Sequence, residues 1–137
     1  RWQMQDDHYL MTCGDTTFAG SGAVAPGYTL RIDDGARRTR RAHVQVHAED
    51  GTLAASGHIA LDDRFAIYDR IVTDPAHQRR GLGRAVMHAL QALARAHGRH
   101  ANVLVASAQG RALYESLGWH LHAPWATAVI PGPDAAA

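Results

Sequence analysis

The segment QRRGLGRAVMHAL, residues 78–90, places arginines and glycines at the start of an apolar helical pattern. Three arginines, Arg79, Arg80 and Arg84, surround its two glycines. The first turn of a helix already carries partial positive charge, so basic side chains there are slightly destabilising unless an anion binds. Glycines let a backbone approach a ligand closely, and free N–H groups at a helix start bind phosphate oxygens. The segment therefore predicts a phosphate-binding loop; the alternative is a simple turn with solvated arginines.

Three phosphate-binding patterns can be compared with this segment. A P-loop requires a lysine, and all 14 basic residues of this chain are arginines. A Rossmann fingerprint requires a third glycine and an acidic residue about 20 positions further on, and the chain has neither. The residues Gln78–Gly83 instead fit the pattern Q/R-x-x-G-x-G/A, which follows a predicted strand and a Val-Thr-Asp-Pro turn and opens a helix.

Size and composition indicate one ordinary globular domain. The 137 residues suffice for a core, because a chain of this length buries about 68% of its unfolded surface. Cys13 is the only cysteine, which excludes a disulfide framework and a cysteine-based zinc site. The net charge of +1 gives no argument for nucleic-acid binding. No apolar run approaches the ~20 residues of a membrane span, and no secretory leader is visible. We therefore expect a cytoplasmic protein without a nucleic-acid or membrane partner.

Alternating and helical periodicities place the elements that must position the loop. Strands are predicted over 28–33, 42–48, 53–61, 65–73 and 101–106, and helices from Leu82 to a stop at Gly98 and over 108–117. Turns at Asp50-Gly51 and Asp62-Asp63 join three strands into an antiparallel meander over 42–73. The remaining segments are predicted as a loop (14–27), a turn with a basic cluster (34–41) and a closing hairpin (119–122 with 126–130).

The order of these elements is a β meander followed by α, β, α and β. It predicts an α/β fold of the α+β type, a mixed and mostly antiparallel sheet with helices on both faces. We expect one domain over 1–137. Within it, 42–130 form the ligand-binding core, 1–41 are an atypical or truncated N-terminal part, and 131–137 are a flexible tail.

Two signatures together resemble the GNAT superfamily of N-acetyltransferases. The loop Gln78–Gly83 is similar to the acyl-CoA loop of that superfamily. The segment GRALYESLGW, residues 110–119, is similar to its second signature, a helix with a tyrosine that is followed by Leu-Gly-aromatic. Both occur in the expected order with a strand between them, and the resemblance covers 42–130. It implies the GNAT fold and an N-acyltransferase that uses acetyl-CoA as its acyl donor.

The resemblance also implies where the donor binds. The donor would wedge between strands 65–73 and 101–106, and an amine of a small molecule or a protein would attack the thioester from the other side of the sheet. Tyr114 would face the departing sulfur as the general acid. The residues implied to contact the donor are Ile71, Val72, Thr73, Gln78, Arg79, Arg80, Gly81, Leu82, Gly83, Arg84, Ser107 and Gly110.

The chain departs from the superfamily pattern mainly on the acceptor side. Ile67 stands where the sheet often carries a glutamate general base, and Asp69 is the nearest acid on that strand. Asp69 is therefore a candidate base, with a charge pair to Arg70 as the alternative. Ser107 and Gly110 replace the usual Asn and Ala of the second signature. Family members usually begin with a strand and two helices that help to form the acceptor site, and residues 1–41 do not show that pattern clearly.

The ten histidines raise the question of a metal site. His43 and His47 are four residues apart on a strand, which separates them by about 13 Å, so they cannot share an ion unaided. His120 and His122 lie on one strand face, but the sequence offers no third ligand. We therefore expect no metal. His58, His120 or His122 could instead face the acceptor, where histidine can act as a base near neutral pH, or each could be an exposed polar residue.

Other features leave further alternatives open. The arginines at 37, 38, 40 and 41 could contact an acidic partner or nucleic acid, but no interleaved aromatic residues support base stacking, which favours a solvated loop. Trp119 and Trp125 could pack in the core or a hairpin, or line a substrate slot. The main rival to an enzyme is a non-catalytic acyl-CoA-binding or interaction domain. A homodimer is compatible with the sequence.

Overall fold

The computed structural model describes residues 3–4, 8–125 and 128–129, with side-chain environments from 8 to 125. The strands are β1 (Gln3–Met4), β2 (His8–Cys13), β3 (Tyr28–Asp34), β4 (Arg41–Ala48), β5 (Leu53–Leu61), β6 (Phe65–Thr73), β7 (Ala101–Ser107), β8 (His120–Trp125) and β9 (Ala128–Val129). The helices are α1 (Ala36–Thr39), α2 (Leu82–Ala96) and α3 (Ala108–Leu117), and Pro75–His77 form a 3₁₀ turn. Within these residues, no helix has both the length and the apolar character needed to cross a membrane.

Seven strands form one sheet in the order β3-β4-β5-β6-β7-β2-β8. Every neighbouring pair in it is antiparallel except β6 and β7, which run parallel. The predicted mixed, mostly antiparallel sheet is therefore confirmed, and so is the meander, which spans β4, β5 and β6. Its period-two pattern has a direct physical cause, because Val44, Val46 and Ile59 turn inward and are almost fully buried.

The strands near the two ends of the chain differ from the sequence-based prediction. The strand β2 lies between β7 and β8, although no strand was predicted there. Its buried residues Met11 and Cys13 alternate with Leu10 and Thr12, which are themselves half-buried, so no polar-apolar alternation marks the strand. The predicted closing hairpin is wrong, because β8 pairs with β2, and β9 pairs with β1 in a separate two-stranded sheet. Both strands therefore find their partners at the other end of the chain.

The long helices pack on one face of the sheet. The strands β6, β7 and β8 are parallel to one another and occur in that order across the sheet. Connections between parallel strands are right-handed, so within the described residues the two long helices, α2 and α3, cover the same side of the sheet. We call the uncovered side the open face. It carries Phe65, Ile67 and Val105, which are 37%, 41% and 44% exposed.

The loop over residues 14–27 is confirmed, and it is fixed to the helical side of the sheet. The buried amide of Gln91 on α2 accepts a hydrogen bond from Phe18 N (3.0 Å) and donates one to Thr16 O (2.7 Å). These bonds let Phe18 enter the core, where its ring lies 5.5 Å from that of Trp119. Trp119 is a core residue, as one of the two alternatives predicted, whereas Trp125 is 46% exposed.

A glycine on β5 permits the close contact between the sheet and α2. A Cβ atom at Gly57 would lie 2.6 Å from Val86 Cγ1 and 2.8 Å from Ile71 Cδ1. Val86 is fully buried and Ile71 is half-buried against the core, so Val86 in particular can move only at the expense of its own contacts. Gly57 therefore sets the distance between the middle of the sheet and the helix that follows the predicted loop.

We expect Gly57→Ala to lower the free energy of unfolding by about 1–3 kcal/mol, the usual cost of overpacking a core. Urea unfolding at constant pH measures the change. Gly14→Ala is the matched control, because a Cβ atom there meets nothing within 4 Å, and we expect little effect from it. Equal stability of the Gly57→Ala protein and the wild type would contradict the packing role of Gly57.

Candidate active site

The site begins where two parallel strands separate. Pairing between β6 and β7 runs from Phe65 and Ala101 to Tyr68 and Leu104, and β6 then continues to Thr73 without a partner on β7. At the same point the register between β5 and β6 shifts, so that β6 contains one extra residue. A bulge of this kind bends a strand and redirects its side chains. The bulge and the end of pairing together open a wedge between the two strands.

The bulge includes an unusual backbone conformation. Arg70 has a φ of 52°, in the left-handed region that residues other than glycine rarely adopt. Such conformations are costly and often accompany functional sites, where the surrounding structure holds them in place. Here the strained residue lies two positions after Tyr68, the last residue of β6 that pairs with β7.

A cleft of about 660 Å³ fills the wedge and extends over the starts of α2 and α3. Its size is typical of a small-molecule site. Its walls are formed by Ile71, Val72, Thr73, Gln78, Arg79, Gly81, Leu82, Gly83, Arg84, Ser107, Gln109, Gly110, Leu113 and Tyr114. The structure thus brings together every residue predicted to contact a donor except Arg80. Gln109 and Leu113 also line the cleft and were missed, because only their position on α3 places them there.

The start of α2 is built to accept an anion. Gly81 is its N-cap with a φ of 72°, and no side chain caps the helix there. The preceding Arg79 also has a left-handed φ, of 63°. Gly83 lets α2 approach α3, since a Cβ atom there would lie only 3.1 Å from Leu113 Cδ2. Unsatisfied N–H groups of the first helical turn therefore point towards a cleft that has room for a ligand.

The three arginines of the loop have different environments. Arg84 is held by hydrogen bonds from Nη1 to Ala19 O (3.0 Å) and from Nη2 to Ser116 Oγ (3.1 Å) while it lines the cleft. Arg79 lines the cleft as well. Arg80 instead lines a second, more open cavity beside Tyr28. Over the described part of the chain, neither Arg79 nor Arg84 pairs with a carboxylate, so both keep their charge available for an anion.

Tyr114 reaches the cleft from α3 and is 7% exposed. Burial raises the pKa of its hydroxyl to about 12, so the group stays protonated throughout the neutral range and can donate a hydrogen bond or a proton. Gly110 makes room for the ring, because a Cβ atom at that position would lie 2.9 Å from Tyr114 Cε2. Ser107 caps α3 by accepting a hydrogen bond from Gly110 N (3.2 Å). The two departures from the usual second signature therefore have local structural roles.

Asp69 lies on β6 at the bulge, and its side chain is 64% exposed. Its Oδ2 lies 3.5 Å from Arg70 Nε, and its Oδ1 accepts a hydrogen bond from Arg70 N (2.9 Å). The charge pair considered as the alternative to a catalytic role is therefore present. Ile67, two residues earlier, lies on the open face at 41% exposure and offers no proton acceptor.

Two of the histidines form a stacked pair on adjacent strands. His43 and His58 face each other across β4 and β5, with ring centroids 5.3 Å apart. Within the described chain, no group of three or more histidine, cysteine or acidic side chains is arranged to hold an ion. His120 and His122 are exposed on β8, at the edge of the sheet.

The chain matches one protein family by sequence and several solved structures by fold. The family of acetyltransferase (GNAT) domains matches residues 40–121, more than half of the chain. No curated protein matches the chain with statistical significance. The chain is similar in structure to a GCN5-related N-acetyltransferase from Kribbella flavida (TM-score 0.71, 15% identity, 93% of this chain and 58% of that one). It is also similar to one from Sphaerobacter thermophilus (TM-score 0.73, 13% identity, 96% and 54%).

A third similar structure is a tandem GNAT protein from the clavulanic acid biosynthesis pathway, with a TM-score of 0.70 and 13% identity. The superposition covers 93% of this chain and 55% of that one. The chain thus spans a little over half the length of each of these three structures. At these identities the likeness concerns the fold, and the family match carries the assignment.

Proposed function

We propose, from the premise that the chain belongs to the GNAT family of acetyltransferases, that it transfers an acetyl group from acetyl-CoA directly to an amine. The observation that carries the proposal is the cleft itself. It joins an uncapped helix start with two arginines at one end to a buried, protonated tyrosine at the other. An acyl-CoA has matching groups, a diphosphate and a thioester sulfur, at the two ends of a narrow pantetheine chain.

The proposed binding mode follows from these two ends. The diphosphate would accept hydrogen bonds from the first amides of α2 and from Arg79 and Arg84, which relieves the positive charge gathered there. The pantetheine would lie in the wedge between β6 and β7, where unpaired backbone groups of β6 can bond its amides. Arg80, which lines the other cavity, should contribute less.

The proposed reaction needs no covalent enzyme intermediate. The amine nitrogen bonds to the thioester carbon, the carbon–sulfur bond breaks, and the products are an amide and the free thiol of coenzyme A. Tyr114 would protonate the departing sulfur, and the proton lost by the amine passes to a base or to water. Holding donor and acceptor in one orientation supplies much of the rate, so the chain requires no nucleophile of its own.

The experiment that tests this function measures free thiol release from acetyl-CoA over a panel of acceptors. The panel contains small-molecule amines, a peptide with a free N-terminus and a peptide with a blocked N-terminus and one lysine. We expect acetyl-CoA-dependent thiol release with one of these classes and formation of the matching acetylated amine. Binding of acetyl-CoA without release in any class would favour the rival, a non-catalytic acyl-CoA-binding domain.

Asp69 should have a limited role in this reaction. Because its carboxylate already bonds to Arg70 and is largely exposed, we expect Asp69→Asn to lower kcat/KM by less than about 100-fold, near or below the low end of a general-base effect. The measurement is kcat/KM at saturating acetyl-CoA, with circular dichroism to confirm folding. A much larger loss in a folded protein would make Asp69 the base.

A further inference from the structure

The open face carries a histidine beside the point where β6 and β7 separate. His58 lies on β5 opposite Asp69, at the bulge of β6. Its chain neighbours Gly57 and Ile59 are buried on the helical side of the sheet, so the side chain of His58 points to the open face. It is only partly buried there.

The architecture fixes the side from which an acceptor can approach. On the helical side, the wedge is lined by the starts of α2 and α3, which is where the donor would lie. The open face has no helix over it within the described residues. Its surface near the wedge is formed by Ile67 on β6 and Val105 on β7, both of which are exposed. An amine that reaches a thioester between the strands therefore crosses the open face, next to His58.

Charged and titratable groups surround the imidazole on both neighbouring strands. His43 and Arg41 lie on β4, and Asp69 and Arg70 lie on β6. Burial is the largest influence and lowers the pKa of His58 below 6.5, and the positive charges of His43, Arg70 and Arg41 act in the same direction against the opposing effect of Asp69. The ring is therefore neutral at pH 7, with one nitrogen free to accept a proton.

We propose that His58 is the general base that takes the proton from the attacking amine. The proposal rests on the function proposed above. As the nitrogen–carbon bond forms, one proton passes from the nitrogen to the imidazole and from there to solvent on the open face. Meanwhile Tyr114 protonates the sulfur on the other side and then regains a proton from solvent, so the amine loses one proton and the thiolate gains one. The stacked His43 holds the ring of His58 in place, with an angle of 29° between the two planes.

The test compares His58→Ala with the wild type over a range of pH, using the best amine of the panel. We expect kcat/KM at pH 7 to fall by about 10²-fold, and the acidic limb of the wild-type profile, with an apparent pKa below 6.5, to disappear. Added imidazole should restore part of the lost rate in His58→Ala. A purely structural histidine would show neither the lost limb nor the rescue.

Two further variants sharpen the result. His43→Gln should move the acidic limb to higher pH, because it removes a group that lowers the pKa of His58. His100→Gln is the matched control, since His100 is exposed, pairs with Asp15, and lies just before the opposite end of β7. It should leave the rate and the profile unchanged.

The outcomes separate this inference from the function on which it rests. An active wild type with a His58→Ala rate within about 3-fold of it and an unaltered pH profile would overturn the role of His58 and leave the acetyltransferase intact. A wild type that binds acetyl-CoA but acetylates no amine would overturn the function itself.

Discussion

Replacing Tyr114 by phenylalanine should lower turnover by about 10²-fold or more while the affinity for acetyl-CoA stays within a few-fold. The ring fills the space left by Gly110 and contacts Trp119, and phenylalanine preserves both contacts. The substitution therefore removes only the hydroxyl, whose high pKa keeps it protonated at neutral pH. If the hydroxyl donates its proton to the departing sulfur, the loss falls on the chemical step.

Single-turnover kinetics at saturating acetyl-CoA measure this step directly. The matched control is Tyr9→Phe, which removes the same group from a ring that packs under Arg111 and does not line the cleft. We expect near wild-type chemistry from it. If Tyr114→Phe also reacts at the wild-type rate, with chemistry rate-limiting, Tyr114 is a packing residue.

A carboxylate introduced at the start of α2 should abolish donor binding. In Gly83→Asp the new side chain would enter the cleft beside the amides and arginines proposed to bind the diphosphate, and it would also press on Leu113. Gly81→Asp adds the same charge one residue before the helix, where a φ of 72° makes any side chain strained. We expect saturating acetyl-CoA to raise the melting temperature of the wild type and not that of either variant.

Gly14→Asp controls for the added charge, because a side chain there meets open space. Its melting temperature should rise with acetyl-CoA as in the wild type. Each variant is compared with its own ligand-free melting temperature, so a loss of intrinsic stability does not imitate a loss of binding. An undiminished rise in both Gly81→Asp and Gly83→Asp would place the diphosphate elsewhere.

Local sequence signals predicted the parts of the site that depend on local structure. The glycine and arginine loop is followed directly by a periodic apolar helix, so Gln78–Arg84 could be assigned to a helix start without any long-range information. The strands β4, β5 and β6 are joined by short turns and alternate clearly, which fixed the antiparallel meander. The wedge between 65–73 and 101–106 followed from the family resemblance rather than from any pattern in these strands.

Long-range pairing was not accessible in the same way. The strand β2 lies near the start of the chain, but its neighbours β7 and β8 lie near the end. Its half-buried outer residues also hide the alternation. The sequence also could not show which face of the sheet each helix covers, since periodicity shows that a helix has an apolar side but not where the sheet lies. The roles of Gly57 and Gln91 could not be predicted from the sequence. The close contact at Gly57 and the hydrogen bonds of the buried Gln91 amide both depend on residues that are distant in the chain.

Side-chain direction decided the rest of the candidate site. Arg79 and Arg80 are neighbours in sequence, but they line different cavities because the backbone takes a left-handed turn at Arg79. His58 was one of several histidines that could face an acceptor. Only the register between β5 and β6 sets it opposite the bulge, beside the separating strands.

Direct acetyl transfer from acetyl-CoA to an amine can be followed in a single-turnover experiment. The enzyme, in excess over acetyl-CoA labelled in its acetyl group, is mixed with the best acceptor and quenched over time. We expect the label to move to the amine, an equal amount of free coenzyme A thiol to form, and no label to remain on the protein. Acetyl-CoA that binds and stays intact with every acceptor, or label that accumulates on the protein before it reaches the amine, would exclude direct transfer.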